Sequence, residues 1–218
     1  VKAVHSDEYA IGVIINDGKR LKADSVIIAT GGFSYQSTGA TGDGYRFARD
    51  LEHRIVPVTP SLVPFETKEE WPIELQGLAL KNVALQVARN GKSIYDDFGE
   101  MLFTHFGISG PMILSASASI KPEYFKEELS IYIDLKPALS IDELDKRILR
   151  DFEETINKQF KNSIHKLLPA KMIPVIIALS GIDPDKKVNE ISKEERKNLV
   201  MLLKHLALGS KIFIQIDS

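Results

Sequence analysis

Two closely spaced glycine clusters constrain this chain more than any other feature. Residues 25–30, Ser-Val-Ile-Ile-Ala-Thr, form a short apolar run that ends in Gly31-Gly32. Seven residues further on, Gly39-Ala40-Thr41-Gly42-Asp43-Gly44 leads into a helix-like pattern. Glycine is used where backbone must turn through conformations closed to other residues, or where something must come very close to the main chain. An apolar run of this kind reads as a strand buried on both faces of a parallel sheet. Ligands of open α/β sheets sit at the carboxyl ends of such strands. The second cluster delivers backbone N–H groups into a helix start, whose first-turn donors have no partner within the helix and favour anionic or carbonyl-oxygen ligands. Neither cluster is a dinucleotide fingerprint, since no Gly-x-Gly-x-x-Gly and no Walker A motif occurs anywhere in the chain.

Composition narrows the partners. With 218 residues and 44% hydrophobic content the chain can bury a sizeable core. The net charge of −2 gives no electrostatic footprint for nucleic acid or anionic membrane, so neither is expected as a partner. No apolar run reaches the roughly 18 residues of a membrane span. The lack of cysteine removes disulfides, thiolate metal sites and thiol nucleophiles, and a cytoplasmic location is expected. A start without Met and a final alternation that breaks off lead to the expectation of a piece of a longer chain.

Along the sequence, residues 1–23 read as a small β-meander, with Asn16-Asp17-Gly18 as a hairpin turn. A first helix is expected over residues 43–51, with Asp43 capping its first turn and Tyr45, Ala48 and Leu51 on one side. Pro57, Pro60, Pro64 and Pro72 then punctuate an extended crossing between domains. Residues 80–88 and 92–98 flank Arg89-Asn90-Gly91, a second hairpin signal. Residues 129–135 alternate as a strand. Helices are expected over residues 111–119, 140–159, 169–179 and 192–206, two of them opened by the capping boxes Ser140-x-x-Glu143 and Ser192-x-x-Glu195. Three domain segments follow: 1–58, 59–208, and an unassigned tail over 209–218, in which Gly209-Ser210, an ordinary turn or a cloning scar, leads into a strand-like alternation from Lys211. No metal-ligand spacing is present.

Several longer motifs in order carry a resemblance: Ala29-Thr-Gly-Gly-Phe-Ser-Tyr35, Thr38-Gly-Ala-Thr-Gly-Asp-Gly-Tyr45, Pro60-Ser-Leu-Val-Pro64, and Gly99 to Pro111 (GEMLFTHFGISGP). Together they resemble the BaiN/YhiN-type family of NAD(P)/FAD-dependent oxidoreductases over residues 1 to about 206. The resemblance implies an α+β chain. It would hold part of a two-dinucleotide-binding-domain FAD fold, namely the β-meander and the parallel strand, plus an inserted mixed β/α cap domain with a helical second half. It also implies FAD against Ala29, Thr30, Gly31, Gly32, Thr41, Gly42, Asp43 and Gly44, while Ser34 and Tyr35, just beyond the double glycine, read as flavin-edge or substrate contacts, with packing as the alternative. NAD(P)H is the implied electron donor, and an unsaturated or carbonyl-containing small molecule the implied substrate. His105 is the first histidine to consider as a proton shuttle, with a structural turn histidine as the alternative. Three departures stand out: Glu52 replaces the family's glycine, and the family's N-terminal Gly-x-Gly-x-x-Gly segment and C-terminal flavin segment are not among these residues. An alternative therefore stays open, a cap-like module that binds a small molecule or protein without holding FAD. Related flavoproteins modify tRNA, so an RNA-handling role is a third reading.

Overall fold

A computed structural model of the chain describes residues 2–6, 9–15, 17–34, 36–124 and 127–212. They divide into two compact units, Val1–Val58 and Thr59–Ser218, each described separately below.

The first unit opens with an antiparallel meander of β1 (Lys2–Ser6), β2 (Tyr9–Ile14) and β3 (Arg20–Lys22), in the order β1-β2-β3. The buried parallel strand expected over residues 26–29 does not form. That run is extended without ladder partners, and Ile27 is 89% exposed. A strand covered on both faces needs neighbours on either edge and helices above and below, and the described residues of this unit supply neither. The helix α1 (Asp43–Asp50) does form, with Phe47 as its buried residue. Its cap also differs from expectation. Gly42, in the left-handed region at φ 73°, is the N-cap and no side chain bonds the first turn. Asp43 instead accepts hydrogen bonds from Arg46 Nη2 at 2.8 Å and from the Thr41 hydroxyl at 3.2 Å. Both partners hold its carboxyl below the usual range, the Arg46 bond being the larger cause.

The second unit is built on a closed six-stranded barrel, with strand order β4-β7-β6-β5-β8-β9. Its strands are β4 (Phe65–Thr67), β5 (Ala79–Arg89), β6 (Lys92–Phe103), β7 (Gly107–Ser109), β8 (Leu129–Asp134) and β9 (Leu206–Ile212). Asn90 and Gly91, both at positive φ, form the β5–β6 hairpin turn, where two left-handed residues match the twist of the flanking strands. Period-2 alternation puts Leu129, Ile131 and Ile133 of β8 fully inside. Phe65, Leu85, Val87, Met101, Phe103 and Leu208 join them. Gly209 and Ser210, expected as a turn at the head of an unassigned tail, lie within β9. Ser210 pairs with both Leu129 and Thr67, so this segment closes the barrel.

At one point the barrel walls approach too closely for a side chain. A Cβ on Gly107 would stand 2.3 Å from the Phe65 carbonyl oxygen and 2.8 Å from the Thr67 nitrogen. Two helices close over the strands. α2 (Trp71–Glu74) brings the Trp71 ring to 6.0 Å from that of Phe103, which makes Trp71 an anchor on the core. α3 (Pro111–Ser119) covers β6 and buries Met112, Ile113, Ala116 and Ser117. The Ser117 hydroxyl accepts from the Val63 N–H at 2.8 Å and donates to the Leu114 carbonyl, tying the proline-bounded strip at Pro60–Pro64 to α3.

The helical half consists of α4 (Ile141–Glu153), α5 (Ile173–Ser180) and α6 (Lys193–Lys204). Both capping boxes form, at Ser140/Glu143 and at Ser192/Glu195. Three boundaries differ from the sequence expectation. α4 ends at Glu153, and the Thr155 hydroxyl donates back to the Asp151 carbonyl. The first turn of the helix predicted over residues 169–179 is a 3-10 turn (Ala170–Met172), with Pro174 in the opening turn of α5, where a missing N–H costs nothing. α6 stops at Lys204 because Leu206 has already entered β9. Leu144, Ile148, Ile176, Leu199 and Leu203 share one apolar cluster with the barrel interior. Among the described residues no helix is long and apolar enough to cross a membrane.

α4 and α6 are joined by a half-buried pair in which Arg196 donates to Asp145 at 2.7 and 3.3 Å. That guanidinium holds the Asp145 carboxyl below its usual range. The pair's stability is therefore present above the ordinary aspartate range and is lost as pH falls through it. Asp145→Asn should lower the thermal midpoint near neutral pH, and the gap from the parent chain should shrink once the pH drops below that range. A pH series of melting curves measures this. Gly107→Ala should cost about 2–4 kcal/mol in denaturant unfolding, because the barrel backbone must move to admit one methyl group.

Candidate functional site

The two glycine clusters of the first unit meet. The Gly42 N–H donates to the Gly32 carbonyl at 3.1 Å, which fixes residues 30–33 beside the start of α1. Two of the glycines are required by this contact itself. A Cβ on Gly42 would lie 2.3 Å from the Phe33 ring, and one on Gly44 would lie 2.6 Å from the Thr30 hydroxyl. The bare backbone at Gly42 therefore seats Phe33, whose ring stacks on Tyr45 with centroids 5.1 Å apart and planes within 9°.

The other glycines leave room. Among the described residues Gly39 has no heavy atom within 4 Å of where its Cβ would stand, Gly32 meets only the Tyr45 hydroxyl at 3.7 Å, and Gly31 meets the Ala40 methyl at an ordinary 3.5 Å. Gly31 takes a left-handed turn at φ 74°. Among the described residues the N–H groups of Gly31 and Gly32 meet no acceptor. The first turn of α1 adds donors that no intrahelical carbonyl can reach. Open space and unpaired backbone donors suit the oxygens of a nucleotide or a flavin ring. The open space that would suit such a group lies at Gly31–Gly32, whereas at Gly42 and Gly44 the chain's own Phe33 and Thr30 fill the room.

The sequence-derived residues come together only in part. Ala29, Thr30, Gly31, Gly32, Thr41, Gly42, Asp43 and Gly44 fall in this one region of the first unit, and Ser34 follows it, exposed. Tyr35 lies outside the described residues. His105 belongs to the second unit. It occupies the turn between β6 and β7, exposed, with its ring edge-on to Phe106 at 4.7 Å. That turn is shaped by Thr104, whose hydroxyl accepts from the Gly107 N–H at 3.2 Å.

Tyr45 and its neighbours carry a feature that sequence reasoning missed. A cleft of ≈ 510 Å³ in the first unit is lined by Phe33, Tyr45, Arg49, His53, Ile55, Pro57 and Val58. Only Tyr45 and Arg49, four residues apart on α1, share a helix face; His53 lies beyond the end of α1 and is brought to the cleft by the turn at Glu52. Next to the cleft, Glu52 sits just beyond the end of α1 at φ 62°. This is the helix-stop position where a left-handed residue is usual and glycine avoids the Cβ penalty.

Comparison with known proteins adds the following. Residues 59–210 match the family model described as HI0933-like protein barrel and H2TH domain. A ribosomal RNA dihydrouridine synthase of Haemophilus influenzae is 32% identical over 94% of this chain and 48% of its own length. A 3-dehydro-bile acid delta(4,6)-reductase of Clostridium scindens is 29% identical over 90% of this chain and 48% of its own length. A ribosomal RNA dihydrouridine synthase of Escherichia coli is 27% identical, with 93% and 48% covered. The chain spans about half the length of the curated relatives it matches.

Glu52→Gly should stabilise the first unit by about 0.5–1 kcal/mol, since the left-handed turn then carries no side chain. Chemical denaturation of the two chains side by side measures it, and an unchanged or lower midpoint would contradict the reading of strain.

Proposed function

The chain belongs to the HI0933-like family, and from that premise we propose that it forms part of a flavin-dependent reductase acting on a carbon–carbon double bond conjugated to a carbonyl. The names of the relatives support this class. A bile-acid delta(4,6)-reductase and a dihydrouridine synthase both denote the addition of two hydrogens across such a bond. The observation that carries the reading is the apposition of the two glycine clusters, with open space and unpaired backbone donors at Gly31 and Gly32.

In this reading Ala29–Gly32 and Thr41–Gly44 belong to a remnant of a two-dinucleotide-binding-domain fold, and they hold FAD. Bound FAD would supply hydride chemistry, taking a hydride from NAD(P)H and delivering it to the far carbon of the conjugated bond. The residues of this chain bind, orient and protonate. Backbone N–H groups at Gly31 and Gly32 donate to cofactor oxygens. The glycine at 39 leaves the approach clear, and the Asp43–Arg46–Thr41 cluster stiffens the helix start. The barrel and helical half act as the cap that selects a small-molecule substrate. His105, in its exposed turn, is the proposed proton donor to the near carbon, an imidazole being suited to proton transfer near neutral pH. A uridine base within RNA is a second substrate reading, favoured by the two ribosomal RNA relatives, while the net charge of −2 favours a small molecule.

FAD titrated into the purified chain should lose fluorescence on binding, and Gly32→Val, at a position outside the left-handed region, should abolish the change while leaving the circular-dichroism melt in place. Binding that survives Gly32→Val would refute the placement. A chain that takes up no FAD at all would favour the alternative of a cap-like binding module.

A further inference from the structure

The cleft beside the glycine clusters has a chemistry the cofactor reading does not use. Its floor is the Phe33–Tyr45 stack, with Phe33 49% exposed, and Ile55, Pro57 and Val58 form its apolar side. Two basic side chains, Arg49 and His53, line the same cleft. Neither has a carboxylate partner among the described residues. This is unlike Arg46 on the same helix, which is paired with Asp43 at 2.8 Å. Asp50 and Glu52, the nearest carboxylates in sequence, form no ion pair with them. The Tyr45 hydroxyl has no hydrogen-bond partner among the described residues and stands 3.7 Å from where a Gly32 Cβ would lie. A flat apolar floor, an unsatisfied hydroxyl and two unpaired basic groups within ≈ 510 Å³ form a volume of the size that small ligands fill.

We infer that this cleft is a substrate subsite for a flat organic oxyanion. The planar body lies on Phe33 and Tyr45, the Tyr45 hydroxyl donates to its carbonyl, and Arg49 with His53 grips its carboxylate or phosphate. A guanidinium matches either group through paired N–H donors. The inference deepens the proposed function, because the assignment to the substrate rests on the neighbouring glycines being the cofactor's seat. The anion itself has two possible sources, the phosphate of a nucleotide and the carboxylate of an apolar acid, and the two share the same recognition.

Calorimetric titration of the purified chain without FAD tests it, using two matched pairs of flat carbonyl compounds: uridine 5′-monophosphate against uridine, and coumarin-3-carboxylate against its methyl ester. The charged member of at least one pair should bind about tenfold or more tightly than its neutral partner. Raising the salt should weaken only the charged one. Arg49→Gln combined with His53→Gln should erase the preference while leaving the melting curve unchanged. A second variant, Gly42→Ala, should displace Phe33 and weaken both members of a pair alike, without removing the charge preference. A preference confined to the nucleotide pair assigns the phosphate, and one confined to the coumarin pair assigns the carboxylate. Equal affinity for charged and neutral ligands, a preference that survives the double variant, or no binding of any of the four compounds would overturn the inference. FAD uptake is measured separately, so loss of FAD binding with the anion preference intact would strike the proposed cofactor seat and leave the anion subsite standing.

Discussion

The second unit depends on one long-range act of pairing, the meeting of β4 with β9. Thr67 and Ser210 are register partners across this seam. It is reinforced by the Lys68 N–H donating to the Gly209 carbonyl at 2.9 Å and by the Glu69 carboxylate accepting from the Gly209 N–H at 2.9 and 3.1 Å. Closure removes the free strand edges that an open sheet would expose. It also gives the helical half something to pack on. α6 leads directly into β9, and the Leu135 N–H donates to the Leu203 carbonyl, so the last helix is held at its end by the barrel it helps to complete.

What could be read from the sequence divides along the range of the interaction. Local devices were legible. Asn90-Gly91 announces a hairpin, and both Ser-x-x-Glu boxes sit where α4 and α6 begin, because turn and cap chemistry is decided within four residues. Barrel closure was not legible. β4 and β7 are three residues each, too short for any periodic signal, and β9 presents a glycine and a serine that look like a turn when taken alone. The run at residues 26–29 failed for the opposite reason. Its composition is that of a buried strand, but a strand exists only through neighbours, and among the described residues it has none.

The candidate site shows the same division. The glycines were conspicuous, and their number suggested one purpose. The structure gives them two. Gly42 and Gly44 are bare so that the chain can approach itself, seating Phe33 and Thr30, whereas Gly31, Gly32 and Gly39 leave space outward. Composition cannot separate these roles, because both call for a missing side chain. Helical spacing puts Tyr45 and Arg49 together, but Phe33 and His53 come from other segments and only the fold brings them to the same cleft.

The adjacency of β4 and β9 has a topological consequence. Polypeptide enters the barrel at one strand and leaves at its immediate neighbour, about 4.8 Å away in a paired ladder. A body with such a doorway can be grafted into a surface loop of an unrelated host, because the host's cut ends need separate by no more than one strand spacing. Recombination could therefore exchange the whole barrel for another body with the same doorway while the host's interior goes undisturbed.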